Sequence, residues 1–288
     1  MKNLSLLFLL AITALLTYSF TLKKKTVVHS LNKIEKNWGM VTPNLFASKF
    51  ETTNKEYQIF LNSVQSKMTE KEREQLTIKI KNWLKISSKN EPMVNLYHQH
   101  PAYADYPLVN VTHQGAKAYC EWLTNLYNDR SSKKYKKVLF RLPTEAEWKT
   151  AAKAGRDAPF PWGGYYMRNA KGCKLANYKS IPETAIKNNP QTGKLEIIES
   201  FGDDRPLADL NDESVFPAPV YSYFPNDFGL YNMSGNVSEM VAEPNRFKGG
   251  SWASTAYYLQ IDAEEEFLDQ AEARPQVGFR YFVEILEE

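Results

Sequence analysis

Hydrophobic positions recur at helical spacing in four segments of the chain. In the first segment, Thr53 and Glu56 have the spacing of a capping box, in which a hydroxyl and a carboxylate satisfy the first backbone N–H groups of a helix. In the second segment, Thr69 and Glu72 repeat that spacing. Residues 65–90 are rich in charge, so this pattern predicts an inserted, solvent-facing helix and not a core helix.

The other two predicted helices carry more apolar faces. Thr112 caps the third helix, and one of its faces holds Cys120 among apolar residues, which directs this thiol into the core. In the fourth helix, Thr144 and Glu147 form another capping box. Gly155 stands where a helix favours a left-handed terminal residue.

The middle of the chain, residues 156–230, lacks any long periodic segment. It contains turn-forming and aromatic residues, with short strand-like pieces such as 218–223. An irregular stretch of this length within a compact domain needs a cross-link or bound ions to hold it. Because no repeat or Gly/Ser linker divides the chain, we expect one domain over 38–288.

The N-terminus resembles a targeting segment. Lys2 precedes an uncharged run over 4–22, which Lys23 follows. This pattern is typical of a secretory signal peptide, and the run also approaches the roughly 20 residues that span a bilayer. Residues 1–22 are therefore a cleaved signal or a membrane anchor, and 23–37 a linker. We expect an exported protein of the periplasm or cell envelope whose membrane contact is confined to 4–22.

Composition excludes several classes of protein. The chain is 43% hydrophobic and 24% charged, as globular proteins are, and its net charge of +3 is too balanced for a nucleic-acid-binding protein. Cys120 and Cys173 are too few for a disulfide framework or a four-thiolate zinc site, so we expect reduced, partly buried thiols. His98 and His100 lack a third histidine nearby, which favours an exposed loop over a metal site.

Several blocks together resemble one family. The segment 141–148, RLPTEAEW, resembles the signature of the formylglycine-generating enzymes, also called sulfatase-modifying factors. The further blocks that follow the family order are 50–57, 107–112, 228–237, 248–252 and 278–280. The resemblance implies a single α+β domain of the C-type-lectin-like kind, with little regular secondary structure.

The same resemblance places the catalytic metal of the family. Its oxidases bind copper(I) through two cysteines, and soft thiolates are the ligands that this ion prefers. In this chain the two positions hold Ser254 and Leu259. We therefore expect no copper and lean against enzymatic activity. An oxidoreductase of the formylglycine-generating type, or a variant with altered metal chemistry, remains the alternative.

The resemblance also implies structural calcium. One site would use the side chains of Asn232 and Glu239 with the carbonyl groups of Gly235 and Val237, all oxygen donors suited to a hard cation. A second site would use Asn177, Tyr178, Asp212 and Ser214. The alternative interpretation is that Asn232 and Glu239 satisfy backbone groups in a tight turn.

Within the family, the blocks 161–178 and 225–232 resemble a non-catalytic branch from the gliding-motility and type IX secretion proteins of Bacteroidetes. These features favour an exported module that binds an envelope protein or peptide. A groove of exposed aromatic side chains would replace the copper site, formed around Ser254 by Trp252, Tyr257 and Tyr258. Packing of these rings in the core is the alternative.

Overall fold

A computed structural model describes residues 34–87, 90–179, 184–188, 191–193, 195–199, 216–263 and 273–288. The predicted signal or anchor over 1–22, most of the linker, and the predicted calcium ligands Asp212 and Ser214 lie outside these residues. Within the described ranges, no helix combines the length and the apolar character needed to cross a membrane.

The predicted helix starts are confirmed. The α-helices of the described part are α1 (Asn54–Val64), α2 (Glu70–Leu76), α3 (Glu91–Leu96), α4 (His113–Asn128) and α5 (Glu145–Lys153). Complete capping boxes begin α1, α2 and α5, and the Thr112 hydroxyl accepts from the Gly115 amide at the start of α4. Helix α5 ends in left-handed backbone at Ala154 and Gly155, with φ of 46° and 80°.

The main sheet joins the beginning of the described chain to its end. Its strands are β1 (Trp38–Thr42), β2 (Leu45–Ser48), β3 (Lys137–Arg141) and β9 (Phe282–Glu287), in the antiparallel order β1-β2-β9-β3. Helix α4 packs on this sheet, and Cys120 lies in the core that they share. The thiol of Cys120 is free and buried as predicted, whereas Cys173 is free and exposed.

A second, smaller sheet has three strands, which lie between β3 and β9 in the sequence. Its strands are β6 (Ser238–Met240), β7 (Phe247–Lys248) and β8 (Val277–Gly278), in the order β7-β6-β8. Strand β6 is parallel to β8 and antiparallel to β7. A separate antiparallel pair is formed by β4 (Thr184–Asn188) and β5 (Leu195–Glu199). The predicted strand-like piece at 218–223 is a turn in the structure.

A buried ion pair lies between the two sheets. Arg280 belongs to the short link between β8 and β9, and Glu239 lies in β6; their side chains are 0% and 1% exposed. The Arg280 guanidinium donates to both oxygens of Glu239 and to the carbonyl groups of Ser48 and Tyr231, at 3.1 and 2.7 Å. One side chain therefore connects both sheets and the loop that precedes β6.

The inserted segment 65–90 is not the solvent-facing helix that its charge predicted. It breaks into α2 and two 3-10 helices, Gln65–Lys67 and Ile80–Lys85, and Trp83 is fully buried. The Trp83 ring stacks on Trp252 at a centroid distance of 6.3 Å and packs on Tyr97 at 5.0 Å. Charged side chains cover the outer surface of the segment, while Leu76 and Trp83 bury its inner side.

Two neighbouring residues test whether the insertion belongs to the core. Trp83 is fully buried and Leu84 is 45% exposed. Replacing Trp83 with Ala should lower the free energy of unfolding by about 3–5 kcal/mol, because the change removes a large ring from a packed site. The matched change Leu84→Ala should cost less than about 1 kcal/mol. Urea denaturation of both variants measures the difference, and equal losses would contradict the packing described above.

Candidate functional site

The two positions that hold copper ligands in the family are buried and carry no soft donor here. The Ser254 hydroxyl accepts from the Ser251 amide at 2.9 Å and lies 2.9 Å from the Ser251 hydroxyl. Leu259 is fully buried in an apolar cluster with Phe160 and Ala176. Since copper(I) prefers thiolate or thioether sulfur, a hydroxyl and an alkyl group do not suit it.

The predicted calcium loop folds through residues in the left-handed backbone region. Asn232, Gly235 and Asn236 have φ of 52°, 79° and 62°, a region that Asn and Gly adopt more readily than other residues. A Cβ atom on Gly235 would lie 2.4 Å from the Asn177 carbonyl oxygen, so no larger residue fits. The loop therefore directs the Asn232 and Asn236 side chains into the interior.

The Glu239 carboxylate has its partners within the protein. Arg280 donates to both of its oxygens, and the Trp148 indole N–H donates to Oε2 at 2.8 Å. The positive charge that a calcium ion would supply is thus supplied by a guanidinium group. The Asn232 amide nitrogen donates to the Val220 carbonyl at 3.0 Å. The set Asn232, Gly235, Val237 and Glu239 thus lies in a hydrogen-bonded turn beside an ion pair, as the alternative interpretation expects, and the calcium site itself stays a prediction.

Sequence reasoning missed the acidic partner of this loop. Glu51 is 1% exposed and accepts from the amide nitrogens of Asn232 and Asn236, both at 2.9 Å. Burial raises the pKa of Glu51 from 4.5 to about 8; the Arg280 guanidinium lowers it, and Glu239 adds to the increase. The guanidinium that pairs with Glu239 thus also influences the pKa of Glu51 without contacting it. The only signal in the sequence was an acidic residue two positions before the first capping box.

The second predicted calcium site is half outside the described residues. Within them, the Asn177 amide nitrogen donates to the Phe216 carbonyl at 3.1 Å and to Asn236 Oδ1 at 3.3 Å, and Tyr178 is half-buried. Asp212 and Ser214 are not described, so this site stays a prediction. Among the residues that the structure describes, no three His, Cys, Asp or Glu side chains are grouped to hold a metal ion.

Histidine placement corrects another expectation. His98 is buried and not in an exposed loop, and its Nδ1 lies 2.9 Å from Asn54 Oδ1. Burial lowers the pKa of His98 to about 3, so this side chain is neutral at physiological pH. His100 is exposed, as predicted, and caps a 3-10 helix through its ring nitrogen.

The predicted aromatic groove is only partly exposed. Trp252 and Ser254 are buried, the former under Trp83, so the expectation of an exposed Trp252 is wrong. Tyr257 is 54% exposed and Tyr258 is half-buried. The sequence analysis did not predict several further exposed aromatic side chains. The two glycines that precede Tyr165 and Tyr166 were the only indication of them in the sequence. These large side chains are Tyr165, Tyr166, Tyr221 and Phe224.

The buried carboxyl group of Glu51 gives a testable pH dependence. Because its pKa is higher in the folded chain than in the unfolded one, its contribution to stability is complete below about pH 4.5 and is lost as the pH rises to about 8. The free energy of unfolding should therefore fall across this range, by up to about 1.4 kcal/mol per pH unit from this group. Glu51→Gln should flatten that dependence, measured by urea denaturation at several pH values. A slope unchanged by the substitution would show that Glu51 ionises normally.

Comparisons with known proteins agree with the fold. The chain is 27% identical over 163 residues to the inactive Cα-formylglycine-generating enzyme 2 of Bos taurus, a match that covers 53% of this chain and 40% of the relative. It is 30% identical over 140 residues to the formylglycine-generating enzyme of Thermomonospora curvata, covering 48% and 34%. The chain thus spans less than half the length of these curated relatives.

A solved structure extends the likeness to most of the chain. Treponema denticola variable protein 1 superposes with a TM-score of 0.51 at 16% identity, covering 86% of this chain and 91% of that one, and this supports the fold alone. The family described as the sulfatase-modifying factor enzyme 1-like domain matches residues 33–285. With the mixed helices and strands described above, these findings show that the chain belongs to the sulfatase-modifying factor family.

Proposed function

We propose that this chain is a non-catalytic member of its family, exported to the cell envelope, where it binds a partner protein or peptide. The observation that carries the proposal is the pair of positions 254 and 259. Ser254 is fixed by hydrogen bonds to Ser251, and Leu259 is packed in an apolar cluster. A thiolate pair is thus replaced by groups that stabilise the loop, and an inactive enzyme among the relatives supports the same conclusion.

The binding part of the proposal rests on exposed rings. Large aromatic side chains that remain in water are enriched in the contact surfaces of proteins, because their burial on binding is favourable. Tyr257 and Tyr165 belong to this group, at 54% and 75% exposed. Tyr257 lies two residues before Leu259 and Tyr165 three residues after Trp162, and both of these neighbours belong to one apolar cluster, in which Phe160 stacks on Trp162 at 4.8 Å. The exposed rings are therefore attached to segments whose neighbouring residues are packed.

The proposal also assigns the protein to a cellular compartment and to one branch of its family. The apolar run at 4–22 supports export, and the blocks 161–178 and 225–232 support a relation to the gliding-motility and type IX secretion branch. The mass of the protein isolated from its host distinguishes a removed signal from a retained anchor.

The catalytic part is tested directly with copper and substrate. The purified chain should bind no copper(I) in competition with a chromogenic chelator, since no thiolate occupies position 254 or 259. It should also form no aldehyde on a cysteine-containing peptide in the presence of oxygen and a thiol. The enzyme of Thermomonospora curvata serves as the positive control. An aldehyde product from this chain would overturn the proposal.

The binding part is tested by site-specific cross-linking in the host. A photo-reactive phenylalanine at Tyr257 should give a discrete cross-linked product with an envelope protein. The same group at Leu96, which is 40% exposed on α3, is the matched control and should not give that product. Identical products from both positions, or none from Tyr257, would contradict a binding surface there.

A further inference from the structure

A small cavity lies beside the end of helix α5. Its volume is about 210 Å³, and its walls include Lys153, Asp157, Tyr165, Gln260 and Asp262. Pockets for drug-sized ligands usually measure about 300–1,000 Å³, so this one suits a ligand the size of a single side chain.

The cations around the cavity are already paired. Lys153 Nζ lies 2.9 Å from Asp262 Oδ2, and the guanidinium of the adjacent Arg156 donates to both oxygens of Asp227 at 2.5 and 2.8 Å. The Asp157 carboxylate, in contrast, makes no hydrogen bond or ion pair in the part of the chain that is described. Asp262 is shared by Lys149 and Lys153, at 3.4 and 2.9 Å, so the wall charge without a partner in the described part is the carboxylate of Asp157.

The remaining wall groups also suit a positive ligand. Tyr165 is 75% exposed, so the face of its ring is available to a cation. The Gln260 amide nitrogen donates to the Tyr257 carbonyl at 3.3 Å, and its carbonyl oxygen is left as an acceptor. A free carboxylate, an amide oxygen and an aromatic ring are the groups that bind ammonium or guanidinium ions.

We propose that this cavity binds a basic side chain, lysine or arginine, of a partner polypeptide. The proposal rests on the proposed binding function and gives it a chemical specificity. The cationic head would pair with Asp157, and its alkyl stem or guanidinium plane would lie against Tyr165. Tyr257, whose backbone carbonyl accepts from the wall residue Gln260, would extend the contact to the neighbouring residues of the partner.

Small probes test the cavity without knowledge of the partner. Acetyl-arginine amide and acetyl-lysine amide should bind with millimolar dissociation constants, followed by NMR chemical-shift titration of the full chain. Acetyl-citrulline amide has nearly the shape of the arginine probe without its charge and should bind at least about tenfold more weakly. Asp157→Asn should weaken the cationic probes about tenfold and Tyr165→Ala about threefold.

Matched surface variants separate a specific site from general attraction. Asp129→Asn removes the same charge from an exposed position after α4, and Tyr166→Ala removes a ring that is 80% exposed and does not line the cavity. Both should leave probe binding unchanged. Equal binding of the citrulline probe, or equal losses in Asp157→Asn and Asp129→Asn, would overturn the proposal.

The experiments distinguish a failure of the cavity assignment from a failure of the proposed function. If the cross-link at Tyr257 forms and the cationic probes do not bind, the cavity assignment is wrong and the binding module stands. If the chain forms an aldehyde on a cysteine peptide, the non-catalytic function is wrong whatever the probes do.

Discussion

The structure depends on one buried guanidinium group, which pairs with one buried carboxylate and influences the pKa of a second. Arg280 donates to Glu239 and to carbonyl groups at the end of β2 and before β6, so it holds the two sheets together. Removing one partner of a buried ion pair costs about 3–5 kcal/mol, since an uncompensated charge remains. Glu51 lies in the same interior and is raised in pKa to about 8 by its burial. Below that pH the Glu51 carboxyl group therefore holds a proton, which removes its negative charge from the interior.

This arrangement explains why the oxygen-rich loop before β6 need not be a cation site. Its Asn side chains direct their N–H groups to Glu51, and the carboxylate of Glu239 is satisfied by Arg280 and Trp148. Each donor thus meets an acceptor within the protein. The same loop is connected to the inserted segment, because Val237 belongs to the cluster that contains Trp83 and Trp252. The insertion covers what would otherwise be an exposed indole.

The sequence predicted those features of the fold that depend on residues close together along the chain. The capping boxes at Thr53, Thr69 and Thr144 join residues three positions apart, and all three are present. The partners of Glu239 are 41 and 91 residues away, and those of Glu51 are 181 and 185 residues away. Periodicity carries no information about such pairs. The burial of Trp83 was missed for a related reason, since the charges that surround it in sequence lie on the other side of the segment.

The two positions that the family resemblance assigns to copper thiolates are stabilised here by contacts of their own side chains. A ligand pair held open for an ion leaves buried polar groups unsatisfied when the ion is absent, which is costly. In this chain Ser254 closes a local hydrogen-bonded turn with Ser251, and Leu259 fills an apolar cluster, so both positions stabilise the fold by themselves. The loop 254–259 is followed directly by Gln260, which belongs to the wall of the small cavity beside helix α5. The loop is held by contacts within the protein and presents Tyr257 to solvent, which is the geometry on which the proposed binding surface depends.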